Sequence, residues 1–326
     1  MNFQLTEDQE ALQSGIRSFC EGRVGVEQLR EVEKEGFDRA LWGELAEMGV
    51  FGLRLPEDAG GVGLGSADAV LVFEELGRCL APGPVLWTHL AAGLVEGAAS
   101  GEVVVGGLDQ VGHGDGTVMV EHLPFLDALL VLREDGAYRV DPRSLDAEPI
   151  EVPLDPFTPV HRVASLPQGD AVADAEAVKR LRVEGAALAS ALMLGIAEAV
   201  QELGTEYARG REQFGRPIGG FQAIKHMLAD SFVRQEVARA AVYAAGATLD
   251  DPSVGSAERA AATAKVTAGD AAMKNSRTCI QVHGGMGYTW EVPAHYYLKR
   301  TWVLENVFGG VEAHAEVMAE HVAAEA

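Results

Sequence analysis

The stretch Arg211-Glu212-Gln213-Phe214-Gly215-Arg216-Pro217-Ile218-Gly219-Gly220-Phe221-Gln222-Ala223-Ile224-Lys225 decides the reading of this chain. Upstream, residues from about 176 to 210 read as one long helix. Downstream, Phe221, Ile224, Leu228 and Phe232 recur on one helical stripe. Pro217, Gly219 and Gly220 interrupt the pattern, so the local reading is a helix–turn–helix joint. Chemically, the same stretch carries an anion-plus-aromatic set. Arg211 is a permanent, forked cation suited to a pyrophosphate. Phe214 offers a flat apolar face to a planar base. Gln213 and Gln222 can donate and accept hydrogen bonds at once.

A second stretch, Gln281-Val282-His283-Gly284-Gly285-Met286-Gly287-Tyr288, reads as a helix end with Gly284 at its C-cap. Gln281 adds another amide. Gly284 and Gly285 would let a phosphate or a ribitol approach the backbone with no Cβ in the way. Around these two stretches the helical grammar continues. A helix from Phe221 ends at Asp251-Pro252, a third covers about 256–282, a fourth 293–306, and a last one 311–323. Long helices with short joints imply a four-helix bundle over 173–326.

The preceding segment, 103–172, is different. Val103-Val104-Val105, Val118-Met119-Val120, Ala128-Leu129-Leu130-Val131-Leu132 and Tyr138-Arg139-Val140 are short apolar runs separated by Gly, Asp and Pro. That is a small β module. Residues 1–102 are helical again. Thr6 and Gln9 form a capping box, Leu12, Ile16 and Phe19 recur at helical spacing, and Phe37-Asp38 opens a second helix. Ser66-Ala67-Asp68 opens a third helix. The expected fold class is α+β, mainly α: an N-terminal helical domain, a small middle β domain and a C-terminal four-helix bundle.

The chain has 326 residues and a formal charge of 26 − 49 = −23, with a pI near 4.7. The balance argues against a nucleic-acid partner and against docking on an anionic membrane. Cys20, Cys79 and Cys279 are odd in number and far apart in sequence, which points away from a disulfide scaffold or a zinc site and towards a reducing compartment. The N-terminus lacks a basic and apolar leader pattern. The longest apolar run, Ala186–Ala199, falls short of a membrane span. A cytoplasmic protein is expected. Gly60-Gly61-Val62-Gly63-Leu64-Gly65 lacks dinucleotide-loop spacing and reads as a helix–helix loop. His314 and His321 are seven residues apart with no third ligand in view, so a metal is not expected.

Together, Arg-x-x-Phe-Gly-x-x-x-x-x-x-Gln and Gln-x-His-Gly-Gly-x-Gly-Tyr-x-x-Glu-x-Pro closely resemble the acyl-CoA dehydrogenase family. The resemblance spans the whole chain. Leu5-Thr6-Glu7-Asp8-Gln9, Leu55-Pro56-Glu57 with Gly60-Gly61, and Phe73-Glu74-Glu75-Leu76-Gly77 match its N-terminal domain. The resemblance implies FAD, a glutamate that takes the α-proton of an acyl-CoA, and hydride transfer from the β-carbon to the flavin. It implies that Arg211, Gln213, Phe214, Ile218, Phe221, Gln222, Gln281, Gly284 and Gly285 hold the ADP part of an FAD seated mainly in a neighbouring subunit.

The chain departs from the family in three places. Where most members carry the base, Val307-Phe308-Gly309-Gly310 stands, with Phe308 at the glutamate. Where a second group carries it, Gly185 stands, beside Glu184. The segments that line the isoalloxazine in full members are missing from the β module. The expectation is therefore a shortened subunit resembling those of actinobacterial, steroid-degrading α2β2 heterotetramers. A larger partner would carry the base, most of the FAD and the acyl-CoA, and an electron-transfer flavoprotein would take the electrons. The alternatives are a homo-oligomeric enzyme with a displaced base, Glu184 or less favourably Glu305, and a non-enzymatic scaffold.

Overall fold

The computed structural model describes residues 4–114 and 116–325. Residues 1–3, which entered the reading of the N-terminus, lie outside these. The fold is mainly helical, with a small β region between an N-terminal and a C-terminal set of helices.

Helix α1 (Glu7–Arg23) opens on the expected reciprocal box. The Gln9 amide donates to Thr6 Oγ1 at 3.2 Å, and the Thr6 amide donates to Gln9 Oε1 at 3.1 Å. Helix α2 (Val26–Glu35) was not expected; it stops at Gly36, whose φ of 82° lets the chain turn out of the helix. Helix α3 (Arg39–Glu47) starts at Asp38, whose Oδ1 accepts the amides of Ala40 and Leu41 at 2.9 and 3.0 Å. Helix α4 (Ser66–Arg78) follows the glycine cluster, which forms the expected helix–helix loop. A Cβ at Gly61 would lie 2.1 Å from the Leu55 carbonyl oxygen, so only glycine fits there. Helix α5 (Val85–Ala91), too short for its periodicity to stand out, was also missed.

Seven strands follow: β1 (Val105–Asp109), β2 (Val118–Glu121), β3 (Ala128–Arg133), β4 (Gly136–Val140), β5 (Ala147–Pro149), β6 (Val160–Val163) and β7 (Asp170–Asp174). One sheet has the order β1-β3-β4-β7, parallel between β1 and β3 and antiparallel elsewhere. The other is antiparallel, in the order β2-β6-β5. The central strand β3 is buried along Ala128–Leu132, which explains its continuous apolar run. Helix α5 is tied to β1, where Thr88 Oγ1 donates to the Val105 carbonyl at 2.9 Å and accepts its amide at 3.0 Å.

Helix α6 (Ala175–Gly210) leads to a two-stranded hairpin, β8 (Glu212–Gln213) and β9 (Arg216–Pro217). Helices α7 (Gln222–Asp250), α8 (Ala257–His283), α9 (Ala294–Leu304) and α10 (Val311–Glu325) complete the chain. The helix–turn–helix expectation is corrected at the hairpin. Phe214 and Gly215 both take positive φ, 53° and 79°, the requirement of a tight hairpin turn. The expected stripe on α7 is also corrected: Phe221, Ile224 and Leu228 pack against Ala208, Ile218 and Val282, but Phe232 faces outward.

A further correction concerns α6. By length and composition it contains an 18-residue stretch apolar enough to cross a membrane, longer than the run singled out in the sequence. That stretch is 83% buried within the protein, as befits a core helix.

The chain divides into two compact units, each with its own core. One comprises the chain up to Gly22, Val70–Leu80 and Ala186 onward; the other comprises Arg23–Ala69 and Ala81–Gly185. In the first unit α4 and α6 meet at backbone contact. A Cβ on Gly77 would lie 2.0 Å from the Leu192 carbonyl oxygen, and one on Gly195 would lie 1.8 Å from that of Glu74. The same unit brings Cys20 and Cys79, far apart in sequence, within 3.0 Å of each other at sulfur.

Candidate functional site

Four pieces of the first unit converge on one open cavity of about 570 Å³. The last turn of α6 supplies Tyr207. The hairpin supplies Arg211, Gln213, Phe214 and Ile218. The start of α7 supplies Phe221 and Ile224, and the end of α8 with its following turn supplies Gln281–Met286.

The local chain explains why these groups meet. The Arg211 amide donates to the Tyr207 carbonyl at 2.8 Å, which extends α6 into the hairpin, and the Ile218 amide donates to the Arg211 carbonyl at 2.8 Å, which closes it. Ile218 is buried with Ala208 and Val282 and anchors the hairpin base. Phe214 at the tip is 89% exposed, with its ring edge-on to Phe221 at 6.1 Å. The Arg216 guanidinium lies 4.1 Å over the other ring, Phe221. On the opposite wall Gly284 is the C-cap of α8, as expected, with φ 60°. A Cβ on Gly284 or Gly285 would meet nothing within 4 Å, so both present bare backbone to open space. His283 stacks on Tyr207 at 4.1 Å, and its Nδ1 lies 2.8 Å from the Cys279 carbonyl, which fixes the ring between the two helices.

Arg211, Gln213, Phe214, Ile218, Phe221, Gln281, Gly284 and Gly285 therefore line one cavity. Gln222, on the first turn of α7, is exposed and stands outside that lining. The cavity offers a guanidinium, two amides, apolar rings and bare backbone. That donor set fits an anion joined to a planar ring.

The two positions where the family resemblance expects a base hold no carboxylate. Phe308 is 4% exposed, with φ 58°. Its carbonyl lies 2.9 Å from His314 Nε2. The loop around it is gripped by Lys265, whose Nζ donates to the carbonyls of Leu304 (3.1 Å), Glu305 (2.9 Å) and Gly309 (2.9 Å). Burial brings this ammonium's pKa down to about 8. His321, the other histidine weighed as a ligand, lies 3.6 Å from Glu258 instead.

In the second unit, Gly185 on α6 is likewise bare. Glu184 beside it is no exposed helix carboxylate: it pairs with Arg54 at 2.9 Å and lines a cavity of about 260 Å³. Arg54 in turn donates from Nε to His89 Nε2 at 3.1 Å, while His89 Nδ1 lies 2.8 Å from the Val50 carbonyl. Burial, with Arg54 adjacent, pushes His89 down to about 3, so it is neutral, with its proton on Nδ1.

One cluster escaped the sequence reading. Glu74 and Glu75 on α4 are fully buried. Arg239 and Tyr243 of α7 and Gln13 of α1 bond Glu74, and Arg17 of α1 bonds Glu75 at 2.8 Å. Glu198 of α6 joins through Arg17 and Arg239, each at 3.2 Å. Burial pushes the Glu74 carboxyl up to about 7 against the pull of Arg239. Adjacent glutamates in an apolar helix were the available signal; their arginines lie far away in sequence.

The acyl-CoA dehydrogenase N-terminal domain matches residues 6–102 and the acyl-CoA dehydrogenase C-terminal domain matches residues 176–323. Acyl-CoA dehydrogenase IpdE2 of Mycobacterium tuberculosis is 32% identical over 90% of this chain and 91% of its own length. Acyl-CoA dehydrogenase FadE34 of the same organism is 32% identical over 94% of this chain, which spans only 47% of FadE34. Among solved structures, a chain of the ChsE4–ChsE5 complex of M. tuberculosis superposes with a TM-score of 0.83 at 26% identity, covering 99% of both chains. A chain of the Tcur3481–Tcur3483 steroid acyl-CoA dehydrogenase superposes with a TM-score of 0.84 at 26% identity, covering 98% of both. The chain belongs to the acyl-CoA dehydrogenase family, whose reaction is the α,β-oxidation of a CoA thioester.

Proposed function

We propose that this chain is the non-catalytic subunit of an FAD-dependent acyl-CoA dehydrogenase built from two unlike chains as an α2β2 heterotetramer. The domains divide near residues 102 and 172. The chain contributes the wall of an FAD site completed by a larger partner, and the acyl-CoA lies mainly on that partner. One observation carries the reading: the cavity at the hairpin brings together eight of the nine expected residues, all but Gln222, while Phe308 and Gly185 stand at both base positions. The likeness to the ChsE4–ChsE5 complex supports an assembly of unlike chains. The likeness to a steroid acyl-CoA dehydrogenase supports a CoA thioester of a steroid side chain or ring fragment as substrate.

In this assembly Arg211 neutralises a pyrophosphate, Phe214 covers an adenine ring, and Gln213 and Gln281 bond the ribose or ribitol hydroxyls. Gly284 and Gly285 admit the phosphates against bare backbone, Ile218 and Phe221 close the apolar floor, and Gln222 bonds from the rim. The FAD, when bound, supplies the hydride acceptor that no side chain can provide. An electron-transfer flavoprotein drains the electrons, and the whole works in the cytoplasm.

The reading is tested by co-expression with the neighbouring gene. One FAD per pair of unlike chains is expected. A chain that purifies yellow by itself and oxidises an acyl-CoA overturns the proposal. In the assembled complex, Glu184→Gln is expected to leave turnover within about twofold, because that carboxylate is already engaged by Arg54 at 2.9 Å. Abolished turnover with intact flavin would instead make Glu184 the base of an enzyme with a displaced catalytic group.

A further inference from the structure

Helices α1 and α4 are joined by successive rungs. Gln13 bonds Glu74, Arg17 bonds Glu75, and one turn further along α1 Cys20 faces Cys79, the residue that follows the last turn of α4. The ion pair fixes the register, since residues three and four apart share a helix face. The next rung is then two thiols with sulfurs 3.0 Å apart, about 1 Å more than a disulfide bond of ~2.05 Å. Each thiol also points at a backbone carbonyl of α4: Cys20 at that of Glu75 at 3.8 Å and Cys79 at that of Leu76 at 3.4 Å. Both side chains are therefore already directed into one crevice.

We propose that Cys20 and Cys79 are a site of reversible oxidation, forming a disulfide that joins α1 to α4 when the protein meets a low-molecular-weight disulfide. The two thiols differ in access. Cys79 is partly exposed and Cys20 is buried. The Cys79 thiolate attacks the reagent disulfide, forms a mixed disulfide and releases one thiol. The Cys20 thiolate then attacks Cys79 Sγ, forms the protein disulfide and releases the second thiol. Two protein thiols lose two electrons and two protons, and one reagent disulfide is reduced to two thiols. Cys279 stands outside this chemistry: it is buried, and burial pushes its thiol up to about 12, so it remains protonated.

The full-length protein is incubated with oxidised glutathione, then unfolded, alkylated and weighed. The expected product has lost two alkylatable thiols and about 2 Da, carries a peptide linking Cys20 to Cys79, and reverts with dithiothreitol. Cys20→Ser should stop at a glutathione adduct on Cys79, and Cys79→Ser should form neither adduct nor cross-link. The proposal is overturned if wild type still alkylates at all three cysteines. It also fails if wild type accumulates an adduct without the link, joins Cys279, or links two separate chains. The wild-type mass settles the matter even where a serine variant fails to fold.

Discussion

Replacing Arg211 with alanine is expected to weaken FAD retention by the assembled complex about 10- to 100-fold, the worth of one or two hydrogen bonds to a charged phosphate. The prediction rests on the placement of this guanidinium beside bare backbone at Gly284 and Gly285. The variant should keep its partner, because Arg211 is exposed on the hairpin and its backbone alone makes the bonds that close it. Flavin fluorescence during gel filtration of the complex reads both quantities at once. Release of flavin from an intact pair of chains supports the half-site. An intact pair that holds its flavin as tightly as wild type would leave the chain a scaffold.

Lys265→Met is expected to cost roughly 3 kcal/mol of stability in urea denaturation, with the midpoint shifted and the slope unchanged. Three carbonyls, that of Leu304 buried and those of Glu305 and Gly309 partly so, would lose one donor together. The Coulombic attraction of the ammonium to the carboxyl end of α9 goes with them. Methionine matches the volume of the lysine stem, so the loss is of hydrogen bonds rather than packing. Because Phe308 lies in the gripped loop, its own amide should exchange with solvent faster in the variant. Wild-type stability in Lys265→Met would mean that the loop carbonyls find other donors.

Much of the helical architecture is legible in local chemistry. Thr6 with Gln9, Asp38 and Ser256 each announce a helix start, and each makes the cap its residue type allows. Gly284 closes α8 for the same reason. What escaped the sequence depends on distant partners or on weak local signal. Strand β5 reads Ala-Glu-Pro and shows no alternation, so its pairing with β6 decides it. The hairpin at Phe214 hides because a phenylalanine with positive φ contradicts its own preference. The family resemblance pointed to eight of the residues that line the cavity, but Gln222 stands apart because one step around the first turn of α7 changes the face it occupies. Glu74 and Glu75 carry no local signal of burial, and nothing local names Arg17 and Arg239 as their partners.

The backbone contact of α4 with α6, through Gly77 and Gly195, bears on how the chain is made. The unit comprising Arg23–Ala69 and Ala81–Gly185 is complete once residue 185 has left the ribosome. The other unit cannot close then, because Leu192 and Gly195, against which α4 must seat, are not yet available. Folding can therefore run in an order inverted from synthesis. The inner segments can condense first, while α1 and the far end of α4 wait, with Glu74 and Glu75 still hydrated, for the carboxyl-terminal helices to emerge. On that order the protein's first helix is expected to be among the last to find its place.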